Sequence, residues 1–245
     1  MSAKAVREHY GKTLLARHLS AHGVEVDARG FLVRTDVKDA SSEHTWASLL
    51  DENPWAKTTK LVAKPDQLIK RRGKAGLVYV NKTISEVQGW VDSKLGQTVT
   101  VDNVEGILHT FLVEPFVPHQ QEDEFYVAIT SDREGETLLF CRDGGVDVGD
   151  VDAKATRLSV PIGTSPTEDG ITAALLGKVP AAARPVLAKF LCALLKFYVD
   201  LAFTYLEINP VVVTANGEVA ALDLAAKVDL TAQFDCAKMC APIPS

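Results

Sequence analysis

Apolar positions recur at helical spacing in three stretches of the chain and alternate with polar ones in several more. Val6, Tyr10, Leu14, Leu15, His18 and Leu19 return every three or four residues. That period predicts a helix over residues 3–22, with Gly23 placed to end it. His18 on that face reads as a packed core or boundary histidine. Val87, Trp90, Val91 and Leu95 predict a second helix over 85–95, and residues 186–203 form the most apolar helical stretch. Short apolar runs predict strands at 61–63, 76–80 and 110–117, the last stopped by Pro118. Two hairpins are predicted, 125–130 with 137–141 and 204–214 with 218–224, the second turning at Asn216-Gly217. Residues 155–161 read as a further strand. Residues 24–59 are mixed and polar, with Trp46 and Trp55 as anchors, and residues 161–183 are the most linker-like stretch. Hairpins impose antiparallel pairs, so an all-parallel sheet is excluded. The expectation is an α+β fold in two lobes.

Composition narrows the class. The 245 residues carry 26 Lys and Arg against 32 Asp and Glu, a formal charge of −6. That balance argues against a general binder of nucleic acid or of a membrane surface. No apolar run reaches the roughly 18–20 residues of a membrane span. The first residues read as part of a mixed polar helix rather than an apolar signal core. The expectation is a soluble protein of the cytosol. Of the four cysteines, Cys192 lies among Leu191, Leu194 and Leu195 and reads as a buried small hydrophobe. Cys141, Cys236 and Cys240 complete the set, in which the pair four residues apart has no histidine nearby. Reduced thiols are expected rather than a metal site.

Three segments carry candidate chemistry. In the first, Lys64, Lys70, Arg71, Arg72 and Lys74 fall within eleven residues, opposed only by Asp66. Gly73 and Gly76 let backbone approach a ligand closely. Point charges beside backbone N–H donors suit a polyphosphate. The pattern is not a P-loop, and the competing reading is a solvated run of charge.

The second segment is the last hairpin. Alternation puts Leu206 and Ile208 on one face of the strand and Glu207 and Asn209 on the other. Asp223 is the polar residue between Leu222 and Leu224. Amide and carboxylate oxygens on neighbouring strands suit Mg²⁺, a hard cation that usually brings substrate phosphate with it. The loop decides the geometry. A three-residue loop, Ala215-Asn216-Gly217, pairs Thr214 with Glu218 and sets Asn209 opposite Asp223. A two-residue loop sets Asn209 opposite Leu224 and turns Asp223 to the other face. A metal site therefore requires the three-residue loop, with Gly217 at positive φ. The competing reading is polar residues on the solvated face of a hairpin.

The third segment is Glu114-Pro115-Phe116-Val117-Pro118. A strand ending in two prolines makes a stiff crossover that can offer backbone groups to a purine edge. An edge strand ended by proline is the competing reading.

Taken together, these segments resemble one family. The stretches beginning at Lys64, Glu114, Gly144, Tyr205 and Leu222 (KPDQLIKRRGK, EPFVP, GGVDVGDVD, YLEINP and LDLAAKVD) stand in the order found at the N-terminus of the ATP-citrate lyase (ATP-citrate synthase) family. More distantly they resemble the β subunit of succinyl-CoA synthetase. The resemblance runs from Met1 to about Phe234. It implies an ATP-grasp fold whose two lobes close on Mg-ATP, the small one over residues 26–112 and the large one over 1–25 with 113–245. It implies that Lys64 contacts ATP phosphate, with Arg72 and Gly73 in the phosphate-covering turn. Pro115 and Val117 would lie in the adenine hinge, and Glu124 would accept from the ribose hydroxyls. Asn209 and Asp223 would approach Mg²⁺ and the phosphates, with the loop over 144–152 bordering the same site.

The family's reaction converts ATP, citrate and CoA to acetyl-CoA, oxaloacetate, ADP and phosphate through a phosphohistidine. Its citrate-binding and CoA-binding regions and its histidine nucleophile lie downstream of this segment. None of His9, His18, His22, His44, His109 and His119 stands in the nucleophile motif. The resemblance thus implies an ATP-grasp portion that binds Mg-ATP without cleaving citrate by itself. Its implied partner is a citrate-synthase-like lyase subunit in a cytosolic hetero-oligomer serving acetyl-CoA and lipid biosynthesis. Two alternatives stay open: the β-subunit part of another ADP-forming acid–CoA ligase of succinyl-CoA synthetase type, and a truncated, non-catalytic assembly partner.

Overall fold

A computed structural model describes residues 3–35, 45–69, 72–101, 103–145, 151–232 and 236, with only the backbone of 151 and 152. In chain order the elements are β1 (Ala3–Val6), α1 (Glu8–Ser20), β2 (Phe31–Arg34), α2 (Trp46–Glu52), β3 (Leu61–Pro65), β4 (Tyr79–Lys82), α3 (Ile84–Lys94), β5 (Thr98–Val101), β6 (Val104–Ile107) and β7 (Thr110–Pro115). Then come β8 (Glu124–Ser131), β9 (Gly135–Cys141), α4 (Val151–Lys154), β10 (Thr156–Pro161), α5 (Glu168–Leu175), α6 (Arg184–Asp200), β11 (Phe203–Val213), β12 (Val219–Ala221) and β13 (Leu224–Asp229). The architecture is α+β, and the chain divides into two compact units.

The unit over Ala28–Phe116 holds a four-stranded antiparallel sheet in the order β2-β7-β3-β4. Alternation sends Phe31, Val33, Leu61, Ala63, Phe111 and Val113 into one core. Val87 and Val91 of α3 close it at i, i+4 spacing. Trp46 and Trp55 do anchor this core, both with their rings against Phe31.

The second unit joins Met1–Asp27 to Val117–Ser245. Its antiparallel sheet runs β1-β13-β11-β8-β9-β10, with β12 pairing β11. Phe125, Val127, Ile129, Leu206 and Ile208 face α1, α5 and α6 across a core that includes Leu187, Phe190, Leu194 and Phe197. The opposite face carries a small cluster of Tyr126, Ala128, Leu139 and Cys141. By the same alternation it carries Glu124, Glu207 and Asn209.

Several sequence expectations need correction. Residues 3–6 are a strand rather than the first turn of a helix. They pair with β13 from Ala3↔Asp229 to Val6↔Ala226, a sheet edge that outweighs local helical preference. The linker-like stretch contains α5. The Thr167 hydroxyl caps it by accepting from the Gly170 N–H at 3.1 Å, and Ile171 and Leu175 are buried one helical turn apart. The apolar helix ends at Asp200, because Ala202 takes φ +51 and Phe203 already opens β11. The last hairpin does not end at 224. Its ladder breaks at Leu222-Asp223 and resumes as β13. The hairpin of β5 with β6 and the elements β2 and α2 add to the expected set. Cys192 is only half-buried, and its thiol is pushed up by burial and by the nearby Glu168. Cys240, Lys70, Arg71 and residues 146–150 lie outside the described residues. Among the described residues, no helix is long and apolar enough to cross a membrane.

The sheet-to-α6 packing makes a stability prediction. Leu194 is fully buried. Leu194→Ala should lower stability by about 2–5 kcal/mol, read as a lower denaturant midpoint with an unchanged m-value.

Candidate functional site

In the unit over Ala28–Phe116, the candidate chemistry gathers at the end of β3. Lys64 pairs with Leu112 of β7, and Val62 pairs with Glu114. Lys64 and Glu114 therefore stand diagonally on one face. Lys64 Nζ lies 2.7 Å from Glu114 Oε1, and the two side chains are 5% and 13% exposed. A solvated charge run does not bury its leading lysine in this way. Arg72 is also buried, and its Nη1–H donates to the Pro65 carbonyl at 2.7 Å. The turn after it is closed by the backbone, with Gly76 N–H donating to Gly73 O and Leu77 N–H to Arg72 O. Gly73 is exposed, and Gly76 takes φ +67. Asp66 is buried beside them, its N–H donating to Thr110 O at 2.9 Å. Two cations and two carboxylates are thus largely withdrawn from water at one strand end. Such groups stay ionised only by pairing with one another or with a charged ligand.

Pro115 ends β7 opposite Leu61, and the Phe116 N–H donates to Lys60 O at 2.8 Å. Val117 begins the other unit. Its carbonyl lies 2.7 Å from His119 Nδ1, while His119 Nε2 lies 3.0 Å from Glu124 Oε1. Both ring nitrogens of His119 therefore face acceptors, and the ring fixes the Glu124 carboxylate relative to Val117.

The last hairpin has the three-residue loop. Thr214 N–H donates to Glu218 O at 2.8 Å, Gly217 N–H to Thr214 O at 2.8 Å, and Gly217 takes φ +76. The register Val211↔Ala221, Val212↔Ala220 and Val213↔Val219 follows from it. The same register continues as Glu207↔Ala225 and Ile208↔Leu224 beyond the break. Asn209 is therefore opposite Asp223, and its N–H donates to the Asp223 carbonyl at 3.2 Å.

Asn209 also reaches sideways. Its Oδ1 accepts from the Gly145 N–H at 2.7 Å. Gly144 N–H donates to Glu124 O at 2.9 Å. Backbone blocks a side chain at Gly144, and one at Gly145 would push the Glu124 carboxylate aside. A Cβ at Gly144 would lie 2.6 Å from the Phe125 backbone, and one at Gly145 would lie 2.1 Å from Glu124 Oε2. Gly145 also takes φ +93. Within this unit, Glu124, His119, Gly145, Asn209 and Asp223 are tied into one linked set on the sheet face turned away from α6.

Three contributors escaped the sequence. Glu114 was read only as part of a crossover, and its pairing with Lys64 depends on the β3–β7 register. His119 was read only as lacking a nucleophile motif. Lys12 is buried on α1, paired with Glu8 at 2.8 Å, and its Nζ donates to Leu222 O at 2.9 Å. It thereby ties α1 to the residue beside Asp223. A lysine in a mixed helix gives no sign of this.

Comparison with known proteins shows the family. Residues 2–239 match the family model of the ATP-citrate synthase ATP-grasp domain. The chain is 48% identical to ATP-citrate synthase of Bos taurus over 236 residues, covering 96% of this chain and 21% of that protein. It is 46% identical over 263 residues to the probable ATP-citrate synthase subunit 2 of Schizosaccharomyces pombe, covering 96% of this chain and 54% of that one. The solved structure of ATP citrate lyase from Methanothrix soehngenii, in complex with citrate and coenzyme A, superposes with a TM-score of 0.81 at 34% identity. It covers all of this chain and 56% of that one. The chain thus spans between about a fifth and somewhat over half of these relatives. These relatives do not favour the alternative of a succinyl-CoA synthetase type of ligase. On the match over residues 2–239, the chain belongs to the family of the ATP-citrate synthase ATP-grasp domain.

Proposed function

We propose that the chain binds Mg-ATP and serves as the ATP-grasp part of an ATP-citrate synthase, which makes acetyl-CoA and oxaloacetate from citrate, CoA and ATP. The observation that carries this reading is the placement of Asn209 opposite Asp223 on the face that also bears Glu124 and Gly145. A carboxylate and an amide oxygen are hard donors of the kind Mg²⁺ takes. Gly145 uses one lone pair of Asn209 Oδ1 and leaves the other for a cation or its water. Mg²⁺ when bound supplies charge neutralisation at the phosphate oxygens.

The chain's own residues divide the remaining work. Lys64 exchanges its pairing with Glu114 for a phosphate oxygen, a strong interaction for a cation already withdrawn from water. Arg72 and Gly73 cover the phosphates from the turn, where Pro65 holds the guanidinium in place. Pro115 and Val117 border the adenine, and Glu124, oriented by His119, accepts from the ribose hydroxyls. Citrate and CoA bind through other regions of the enzyme, including a citrate-synthase-like partner, in a cytosolic hetero-oligomer.

Calorimetric titration with ATP in the presence of Mg²⁺ tests the reading. It predicts saturable binding, and absence of binding would contradict it. Asp223→Asn should weaken Mg²⁺-dependent binding by more than about tenfold, with a smaller effect when Mg²⁺ is omitted. Gly145→Ala should weaken nucleotide binding similarly, because its Cβ displaces the Glu124 carboxylate and its backbone is held at φ +93. Lys64→Ala leaves Glu114 without its lysine and should cost about 3–5 kcal/mol of stability. The double variant Lys64→Met with Glu114→Gln should regain much of that stability, but not the affinity for ATP.

A further inference from the structure

The C-terminal ends of the two longest helices of the second unit meet at a cluster that the nucleotide reading does not use. His18 lies in the last turn of α1, His22 in the turn just after it, and Asp200 is the last residue of α6. His18 Nε2 is 3.0 Å from Asp200 Oδ2. The two imidazole rings are 5.0 Å apart between centroids. One ligand atom from each of the three residues lies within 4.8 Å of the others. His18 is held from behind by the edge of Phe197, at 5.4 Å between ring centroids. His22 is exposed, so the cluster is open to solvent on one side.

The surroundings favour a cation. Each helix directs the negative end of its dipole to its C-terminus, and here two such ends converge. Two lysines already answer that field. Lys189 Nζ donates to the Gly23 carbonyl just past α1 at 2.6 Å, and Lys196 Nζ lies 2.8 and 3.0 Å from the two Asp200 oxygens.

We propose that His18, His22 and Asp200 form a binding site for a zinc-class transition metal ion that pins the end of α1 to the end of α6. Two imidazoles and one carboxylate are the donor set of three-ligand zinc sites, with a fourth position open to water. The same donors discriminate against Mg²⁺, which wants oxygen throughout. Coordination places the ion between His18 Nε2, Asp200 Oδ2 and one His22 nitrogen. Lys196 gives up its 2.8 Å contact to Oδ2, keeps the 3.0 Å contact to Oδ1 and becomes the outer partner that orients the carboxylate. The site is independent of the nucleotide reading and stands if that reading fails.

The test uses the 245-residue chain, stripped of metal by a chelator and kept free of nucleotide. Zn²⁺ is titrated calorimetrically, and thermal unfolding is recorded with and without it. The expected result is saturable binding of Zn²⁺ and a rise in melting temperature of about 4 °C or more at saturating metal. Millimolar Mg²⁺ should not compete. His22→Gln, at an exposed position, should leave the metal-free melting temperature unchanged and weaken Zn²⁺ binding by more than about tenfold. Asp200→Asn should weaken it likewise. If Asp200→Asn does not fold, His22→Gln decides. Failure of Zn²⁺ to bind, or wild-type Zn²⁺ affinity in His22→Gln, would overturn the site.

Discussion

Closure of the Ala215-Asn216-Gly217 loop between Thr214 and Glu218 is the constraint on which the site depends. Side chains alternate across a strand with a period of two, so one residue of slip would invert a whole face. Gly217 accepts the left-handed backbone that a three-residue loop needs, and the pairing that follows sets Asn209 against Asp223. The same pairing sets Leu206 opposite Ala226 and Ile208 opposite Leu224, all four in the core under α6. Core burial and site geometry are thus fixed by one register, and neither can shift without the other. Gly144 and Gly145 then fit against β8 because they lack side chains, and Asn209 holds the loop there.

The other unit stabilises its candidate groups differently. Lys64, Asp66 and Arg72 are buried polar residues, which is costly unless charges are paired. Glu114 pairs with Lys64, and the Pro65 carbonyl accepts from Arg72. A carboxylate that holds a lysine in the absence of ligand keeps the ammonium in position and can give it up to a stronger anion.

Much of this was legible in the sequence wherever local chemistry decides. The turn glycines, the alternation in Thr204-Tyr205-Leu206-Glu207-Ile208-Asn209 and the i, i+4 spacing of Val87 and Val91 name their elements without tertiary information. The loop length had two self-consistent solutions in sequence, and the structure has the one a metal site requires. What escaped depends on distant partners. Ala3–Val6 is a strand only because β13 offers an edge. Lys12 matters only because its Nζ reaches the Leu222 carbonyl, 210 residues away. Glu114 meets Lys64 only through the register of β3 on β7. The stretch over 161–183 was misread for another reason: its cap, Thr167, and its buried pair, Ile171 and Leu175, are diluted by flanking turn residues.

The central claim is that Asn209 and Asp223 stand at the metal of bound Mg-ATP. Backbone amide NMR of the chain with ATP, with Mn²⁺ substituted for Mg²⁺, tests it most directly. A paramagnetic ion broadens the signals of nearby amides. The account predicts loss of the Gly145, Asn209 and Asp223 amide signals at substoichiometric Mn²⁺, dependent on ATP. Persistence of those three signals while amides elsewhere are broadened would contradict it.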